Sequence, residues 1–321
     1  MAVKTGISVV IPVMDEEKNI SILYDELRSV LLSIAKSYEI IFVDDGSTDS
    51  SFKEMEKLRK KDKRVKIIKF KKNFGQSAAL QAGFDYCSGD MVASMDADLQ
   101  NDPNDIPKMI KNINGWDCVC GWRKKRKDNF SKKIMSRIAS LVRRSFINTN
   151  IHDFGCTLRV YRKECVKDLE LFGEMHRYIP PLLMWKGYRV AEMKVNHRER
   201  KYGSTKYSFQ RVFKGFMDML NMWFWQKYSQ KPLHIFGGLG LASGLLGILG
   251  GIYAFYLKIF YGVDLSNTAL PLFSVLMVMI GVQFFISGLL ADISMKNYYS
   301  LKKRKPYNVE KWLNENPDAE L

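Results

Sequence analysis

A short acidic segment is the clearest candidate for chemistry in this chain of 321 residues. The segment MDADLQNDP, residues 95–103, carries Asp96, Asp98, Gln100 and Asp102. Alternate side chains of an extended backbone share a face, so Asp96, Asp98 and Gln100 are expected to point the same way. Two carboxylates and an amide oxygen suit a hard divalent cation such as Mg²⁺ or Mn²⁺. Asp102 fits a turn and helix start better than a metal ligand.

Such a cation site predicts a diphosphate substrate. Mg²⁺ usually takes one or two protein carboxylates and fills its other positions with water and phosphate oxygens. The sequence contains neither GxxxxGK[ST] nor a strand-following GxGxxG, so the cation would neutralise the diphosphate, helped by basic residues such as Arg123. Asp44 and Asp45 of DDGSTD are candidates to accept hydrogen bonds from a base or ribose. The same letters also suit a strand-to-helix turn with Ser47 or Thr48 as N-cap.

These side chains need a scaffold that brings several strand ends together. Short apolar runs predict strands at 7–13, 39–43, 65–70, 91–95 and 117–122. Helical patterns lie between them, at 20–34, 76–88 and 105–113. Continuous apolar strands alternating with helices are typical of a mainly parallel sheet covered on both faces. Ligands bind at the carboxyl ends of such strands, and three of the four loops there are acidic.

The net charge of the whole chain is opposite in sign to the charge of these loops. Lys and Arg number 50 against 34 Asp and Glu, a formal net charge of +16. Basic residues concentrate in 123–144, where apolar residues recur at helical spacing, so we expect an amphipathic helix suited to anionic lipid. The acidic strand ends and the apolar segments described next argue against a nucleic-acid partner.

The C-terminal third predicts a membrane hairpin. Residues 232–257 and 265–291 carry no charge, and each run exceeds the ~20 residues that cross a bilayer core. Two buried core helices are the alternative. The aromatic-rich stretch 208–231 predicts a helix at the membrane interface, packed on the soluble domain, or both. Basic residues flank both spans, so the positive-inside rule predicts that the N-terminal region and both termini are cytoplasmic.

The expected organisation therefore has four parts. Residues 1–207 form a cytoplasmic α/β domain, and residues 208–231 form a juxtamembrane amphipathic helix. Residues 232–298 form two transmembrane helices, and residues 299–321 form a basic cytoplasmic tail. Five scattered cysteines fit a reducing compartment better than a disulfide scaffold. Cys118 and Cys120 fit a buried strand better than a metal site.

The order of the motifs resembles the polyprenyl-phosphate glycosyltransferases, members of glycosyltransferase family 2 with the Rossmann-like GT-A fold. The resemblance is carried by SVVIPVMDEEKNI, IIFVDDGSTDSS, KNFGQSAALQAGFDYCSGD, MDADLQNDP, VCGWRKKR, HDFGCTLRVYRKE and RERKYGSTKYSF. It implies inverting, metal-dependent transfer of a sugar from a nucleotide-diphosphate sugar to polyprenyl phosphate at the cytoplasmic face of the inner membrane. The motif sequences resemble those of the bacterial members of the family, which favours a UDP-linked donor and undecaprenyl phosphate.

The resemblance also implies roles for single residues. Nucleotide binding is expected from Pro12, Glu16, Asp45 and Asp96, and binding of Mg²⁺ or Mn²⁺ from Asp96, Asp98 and Gln100. Contacts to the phosphates or the acceptor are expected from Arg123, Lys132, Ser136, Arg159, Arg200 and Lys206. Asp153 aligns with the acidic residue proposed as catalytic. Asp15 and Thr205 depart from the usual Asn and Ser, and neither change removes a charge that the chemistry needs.

The chemistry of the acceptor limits what Asp153 has to do. The second pKa of a phosphate monoester is about 6, so the acceptor is largely dianionic at neutral pH. Bringing two anions together and stabilising the leaving diphosphate are the harder tasks. We expect Asp153 to orient a basic partner or the metal, or to remove a residual proton. The alternative is an Asp that caps a turn in IHDFGC.

The sequence is also compatible with other functions. A membrane-anchored binding or scaffold protein with a degenerate GT-A domain is one, and a polyprenyl-phosphate mannose synthase that uses GDP-mannose is another. A processive polysaccharide synthase would normally need more than two spans. The sequence does not identify the sugar, and it leaves open whether the protein is a homo-oligomer.

Overall fold

The computed structural model of this protein describes residues 6–35, 37–124, 151–199, 224, 232–300 and 309–313. The chain divides into two compact units, one of Met1–Asp218 with Lys305–Leu321 and one of Met219–Arg304. Most of the predicted basic and aromatic amphipathic segments lies outside the described residues, as do four of the predicted contact residues, Lys132, Ser136, Arg200 and Lys206.

The described part of the first unit is built on a sheet in the order β7-β5-β6-β4-β1-β2-β3-β8. Its strands are β1 Ile7–Val13, β2 Tyr38–Asp44, β3 Val65–Phe70, β4 Met91–Ser94, β5 Cys118–Trp122, β6 Arg159–Arg162, β7 Val190–Lys194 and β8 Val309–Leu313. Its helices are α1 Ile20–Ile34, α2 Ser51–Lys61, α3 Gln76–Asp85, α4 Ile106–Lys111, α5 Lys163–Lys167 and α6 Ile179–Trp185.

Most neighbouring strands of this sheet are parallel, as the apolar strand pattern predicts. β1 pairs in parallel with β2 and β4, β2 with β3, and β5 with β7. β6 is inserted between β4 and β5 and is antiparallel to both. The carboxyl ends of β1, β2 and β4 therefore meet at one edge, which is where the acidic loops leave the sheet.

The packing of α1 and α3 follows from where their apolar side chains and glycines lie in the sequence. α1 buries one stripe of apolar side chains at helical spacing, Ile20, Leu23, Leu27 and Leu31. α3 lies very close to β1, because a Cβ on Gly83 would stand 2.1 Å from Val10 Cγ1. This close approach brings the first residue of α3, Gln76, to the acidic edge.

Two local predictions about helix starts have opposite outcomes. α2 begins at Ser51, so the prediction that Ser47 or Thr48 is its N-cap is wrong. These two side chains serve the neighbouring loop, where Ser47 Oγ accepts the Asp15 N–H at 3.1 Å and Thr48 N–H donates to Asp15 Oδ1 at 2.7 Å. The prediction for Asp102 is confirmed, because it caps a 3₁₀ turn by accepting the Asn104 N–H at 3.0 Å.

The second unit contains two long helices, α7 Pro232–Tyr261 and α8 Leu270–Ser300. Their apolar segments have mean hydropathies of 1.9 and 2.2 and are long enough to cross a membrane. Large apolar side chains on both helices are exposed, with Leu241 at 77% and Leu272 at 75%. This exposure contradicts the alternative of two buried core helices and fits a lipid environment.

The two helices pack as an antiparallel pair through small residues. The carbonyl of Gly281 would be 2.7 Å from a Cβ on Gly240, and the carbonyl of Ser274 would be 2.6 Å from one on Gly247. Backbones can come this close only where side chains are absent or small, which is a common way to pack helices in lipid.

Candidate active site

The acidic segment after β4 leaves partly exposed the three side chains that its spacing singles out. Asp96, Asp98 and Gln100 are partly exposed, while Ala97 and Leu99 between them are buried in the core. Exposed and buried side chains thus alternate, but the backbone that presents them is a turn and not an extended strand. Leu99 has a φ of 62°, and the Gln100 N–H donates to Asp98 Oδ1 at 3.1 Å.

Asp96 is held in place by two side chains that sequence reasoning missed. Gln76 Nε2 donates to Asp96 Oδ1 at 2.7 Å, and Thr157 also hydrogen bonds to the carboxylate. Thr157 is in turn fixed by Asn101, whose Nδ2 donates to Thr157 Oγ1 at 3.0 Å. Burial and then the charge of Asp98 raise the pKa of Asp96 to about 6, so these two carboxylates lie close enough to repel.

The donor set fits a divalent cation bound partly by substrate. Among the described residues no three His, Cys, Asp or Glu side chains converge on one metal position. Two carboxylates and the Gln100 amide are nevertheless what Mg²⁺ or Mn²⁺ takes when water and phosphate oxygens complete its shell. The repulsion between Asp96 and Asp98 is the kind that a cation relieves.

Three of the four residues predicted to bind the nucleotide lie at the ends of β1 and β2, which are neighbours in the sheet; the fourth, Asp96, follows β4. Pro12 is partly exposed in β1 and pairs in register with Val43 of β2. Glu16 follows β1, where its N–H donates to Ser51 Oγ at 2.8 Å and its carboxylate accepts a hydrogen bond from Asn19. The β1 loop is thereby tied to the start of α2.

The two aspartates at the end of β2 differ in what they bind. Asp45 accepts the N–H groups of Phe74 at 2.7 Å and Gly75 at 3.0 Å, which fixes the loop before α3. Asp44 is fully buried; its Oδ1 accepts the Ser47 N–H at 2.9 Å, while its Oδ2 has no partner among the described residues. Burial raises the pKa of both carboxyl groups. The unpartnered Oδ2 of Asp44 is buried, so the predicted contact of Asp44 with a base or ribose stays a prediction.

Asp153 and Arg123 form a two-pronged ion pair beside the acidic face. Arg123 Nε donates to Asp153 Oδ2 at 2.7 Å and Nη2 donates to Oδ1 at 2.9 Å. Burial lowers the pKa of Arg123, but the hydrogen bonds and charge of Asp153 outweigh it and the net pKa is raised. The charge of Arg123 partly offsets the raised pKa of Asp96, so the ion pair lies within electrostatic range of the candidate metal ligands.

Arg159 lies deeper than its predicted phosphate contact requires. The side chain is 1% exposed, and Nη1 and Nη2 donate to the carbonyls of His176 and Phe154, each at 2.9 Å. The guanidinium thus ties together the backbone beneath the site, and no contact of the described residues supports the phosphate role. The phosphate contact of Arg159 was implied by the family resemblance, which does not distinguish the floor of the site from its surface.

The fold defines a class of protein. The structure is similar to glucosyl-3-phosphoglycerate synthase from Mycobacterium tuberculosis in complex with Mn²⁺ and UDP-glucose, with a TM-score of 0.54 at 16% identity over 69% of this chain and 79% of that one. The same protein with Mn²⁺, UDP and glucosyl-3-phosphoglycerate also gives 0.54, over 80% of its chain. At this identity the likeness concerns the fold, and it confirms the predicted α/β GT-A architecture.

Sequence relatives place the chain within that class. Residues 8–170 match the family model described as Glycosyl transferase family 2. The dodecaprenyl-phosphate galacturonate synthase of Rhizobium johnstonii is 36% identical over 91% of this chain and 88% of that protein. The undecaprenyl-phosphate 4-deoxy-4-formamido-L-arabinose transferase of Pectobacterium atrosepticum is 33% identical over 95% of this chain and 93% of that protein. The chain therefore belongs to glycosyltransferase family 2 and is a glycosyltransferase, as its motifs predict.

Proposed function

We propose that this enzyme transfers a sugar from a UDP-linked donor to undecaprenyl phosphate at the cytoplasmic face of the membrane, with inversion. The observation that carries the proposal is the juxtaposition of the Asp96, Asp98 and Gln100 face with the Arg123–Asp153 pair. Two kinds of support come from similar proteins: relatives along nearly the whole chain are named for dodecaprenyl or undecaprenyl phosphate, and proteins of the same fold hold Mn²⁺ and UDP.

The donor half of the reaction falls to the ends of β1, β2 and β4. Asp96, Asp98 and Gln100 would hold Mg²⁺ or Mn²⁺, and a bound divalent cation supplies positive charge for the leaving diphosphate. Pro12, Glu16 and Asp45 would line the nucleotide. Asp44 lies next to Asp45, but its Oδ2 is buried and is not assigned a contact to the nucleoside.

The acceptor half falls to Arg123 and Asp153. The acceptor phosphate is already largely dianionic above pH ~6, so it hardly needs a base. Asp153 engages Nε and Nη2 of Arg123, and this leaves Nη1 to meet a phosphate oxygen. A guanidinium held in one orientation stabilises charge on phosphates without reorganising during the reaction. We therefore assign Asp153 the role of orienting Arg123.

The sheet supports the proposed membrane topology. β8 follows the two long helices in the chain, yet it pairs with β3, which precedes them. If α7 and α8 span the bilayer, both ends of the hairpin must then lie on the side that holds the sheet. The positive-inside rule predicts that this side is the cytoplasm.

Binding of UDP tests the donor half separately from transfer. We expect purified wild-type protein to bind UDP in calorimetric titrations with Mn²⁺ and to lose most of that affinity when EDTA is present. Asp98→Ala should behave like the EDTA sample, because half of the carboxylate pair is gone. Asp90→Asn, which alters an exposed aspartate outside the site, should bind like wild type. Equal UDP affinity with and without Mn²⁺ would contradict the assignment of the acidic face.

A further inference from the structure

The loop that carries Asp153 is held by a carboxylate on a neighbouring strand, Glu192 of β7. Glu192 Oε1 accepts the backbone N–H of His152 at 3.0 Å and that of Asp153 at 2.8 Å. Its Oε2 lies 2.7 Å from Nδ1 of the His152 ring. One side chain therefore fixes two consecutive amides and the ring next to Asp153.

The other side of this loop is fixed by stacking. The His152 ring lies against Trp122 with ring centroids 4.4 Å apart and planes 16° apart. Trp122 is the last residue of β5 and immediately precedes Arg123. In the sheet, Glu192 is in register with Cys120 and lies two residues before the partner of Trp122, so the carboxylate and the indole are on the same face.

These contacts connect both halves of the ion pair to one anchor. Glu192 holds the backbone of Asp153, and the His152 ring that it contacts is stacked beside the residue next to Arg123. The Glu192 side chain is 10% exposed, so water cannot readily replace it as the acceptor for the two amides. Hydrogen bonds from backbone N–H groups to a carboxylate are among the stronger ones in proteins.

We propose that Glu192 is a positioning residue that sets the orientation of the Arg123–Asp153 pair for transfer. This inference depends on the proposed function, in which that pair faces the acceptor phosphate. Glu192 touches no substrate in this account. A displacement of a positioned group by about 1 Å can lower a rate about 100-fold. Loss of the Glu192 hydrogen bond to the Asp153 N–H is therefore expected to affect transfer strongly.

Hydrogen exchange tests the anchor without any assay of activity. Glu192→Ala removes the acceptor of two amides, and exchange of the peptide that contains His152 and Asp153 should become about tenfold faster or more. Glu192→Gln keeps an oxygen where Oε1 lies and should exchange at close to the wild-type rate. Glu164→Gln, an exposed glutamate on α5, is the control and should leave the peptide unchanged. Unchanged exchange in Glu192→Ala would overturn the proposal.

Kinetics then separate a positioning role from a merely structural one. Under the proposal Glu192→Ala lowers kcat about 100-fold while the KM values of both substrates change little, and Glu192→Gln recovers about tenfold of that loss. In an Asp153→Asn background the further effect of Glu192→Ala should be less than about threefold, because Glu192 acts through Asp153. Additive losses, or faster exchange with unchanged kcat, would overturn the positioning role. If the wild type transfers no sugar, the proposed function fails, and hydrogen exchange alone decides whether Glu192 holds the loop.

Discussion

Asp153 and Arg123 share two hydrogen bonds, and this geometry limits the chemistry that either side chain can perform. A carboxylate that already accepts from Nε and Nη2 of an arginine is stabilised in its charged form and is a weak base. In the proposed function the acceptor is a phosphate monoester, which is largely dianionic at neutral pH, so little proton transfer would remain to be done. Orientation of the arginine is the task that fits both facts.

This assignment predicts how Asp153→Asn responds to pH. We expect transfer to fall about 100-fold and by the same factor at every pH from about 7 to 9, because the loss is one of orientation and charge. Rates at saturating substrate across that range measure it. Arg123→Lys keeps the charge but loses the paired N–H donors of the guanidinium, and its loss of rate should likewise be the same at every pH. A deficit that shrinks steadily as the pH rises would instead assign Asp153 as the base.

Single residues of the site could be predicted from the sequence only where the pattern is local. Asp96, Asp98 and Gln100 follow from a period of two within five residues. The roles of Gln76 and Glu192 could not be predicted in this way, because their partners are distant in the sequence. Gln76 is 20 residues from Asp96, and Glu192 is 40 residues from His152. Nothing in the local sequence pairs a glutamine at a helix start with an aspartate one strand later.

At the scale of elements, a buried carboxylate joins three segments at the edge of the sheet opposite the site. Glu39 of β2 accepts from Ser8 Oγ of β1 at 2.5 Å and from the Ser88 N–H at 2.6 Å, and its Oε2 lies 2.5 Å from Lys66 Nζ of β3. Burial would raise its pKa, but these hydrogen bonds hold the pKa below its usual value. Glu39 therefore stabilises the fold fully above pH ~4.3, the usual pKa of Glu, and that contribution is lost as pH falls through the lower folded pKa.

Replacement of Glu39 should show how much this carboxylate stabilises the fold and how that stabilisation depends on pH. Glu39→Gln leaves Lys66 without its partner and is expected to lower the free energy of unfolding by about 3 kcal/mol at pH 7, with a smaller difference from wild type near pH 3. Thermal melting of the purified protein at both pH values measures this. Glu54→Gln disrupts a surface pair with Lys57, whose side chain is 64% exposed, and should cost under about 1 kcal/mol. Equal melting temperatures of the two variants at pH 7 would rule out a stabilising role for the Glu39 carboxylate.

The helix pair offers a matched test of close packing. A Cβ on Gly281 would stand 2.7 Å from the carbonyl of Gly240, whereas a Cβ on Gly238 meets nothing within 4 Å. Gly281→Leu should therefore separate the helices and lower the melting midpoint of the detergent-solubilised protein by several degrees, a cost of about 1–3 kcal/mol. Gly238→Leu should melt like wild type, since its side chain enters open space. Equal midpoints for the two variants would mean that this contact is not needed.

The sequence predicts most elements of the sheet because continuous apolar strands and amphipathic helices are local patterns. β8 is the exception, since it lies in a tail whose basic character predicts a solvated segment. Its strand conformation depends on pairing with the edge strand β3, which is more than 200 residues away in the chain. The predicted N-cap of α2 was also wrong, because Ser47 and Thr48 hydrogen bond to Asp15 in the loop after β1.

At the scale of the whole molecule, the strands on either side of the hairpin belong to one sheet, and this predicts how the chain is exposed in cells. Asn267→Cys, in the connection between α7 and α8, should react with a membrane-impermeant maleimide added outside intact spheroplasts. Lys167→Cys, on the exposed surface of the α/β unit, should react only after the membrane is opened. Background labelling should be small: all five native cysteines are buried, and burial raises the pKa of Cys87 to about 11 and of Cys156 and Cys165 to about 12. Labelling of both positions from the same side would refute the hairpin.

The most direct test of the whole account is transfer to lipid. Purified protein in detergent would be given undecaprenyl phosphate, Mn²⁺ and, one at a time, radiolabelled UDP- and GDP-linked sugars, and label would be counted in the organic extract. We predict that at least one UDP-sugar labels the lipid, that EDTA or Asp98→Ala abolishes the product, and that Asp90→Asn does not. Folded protein that transfers no sugar from any donor, or transfers it equally well without a divalent cation, would contradict the account.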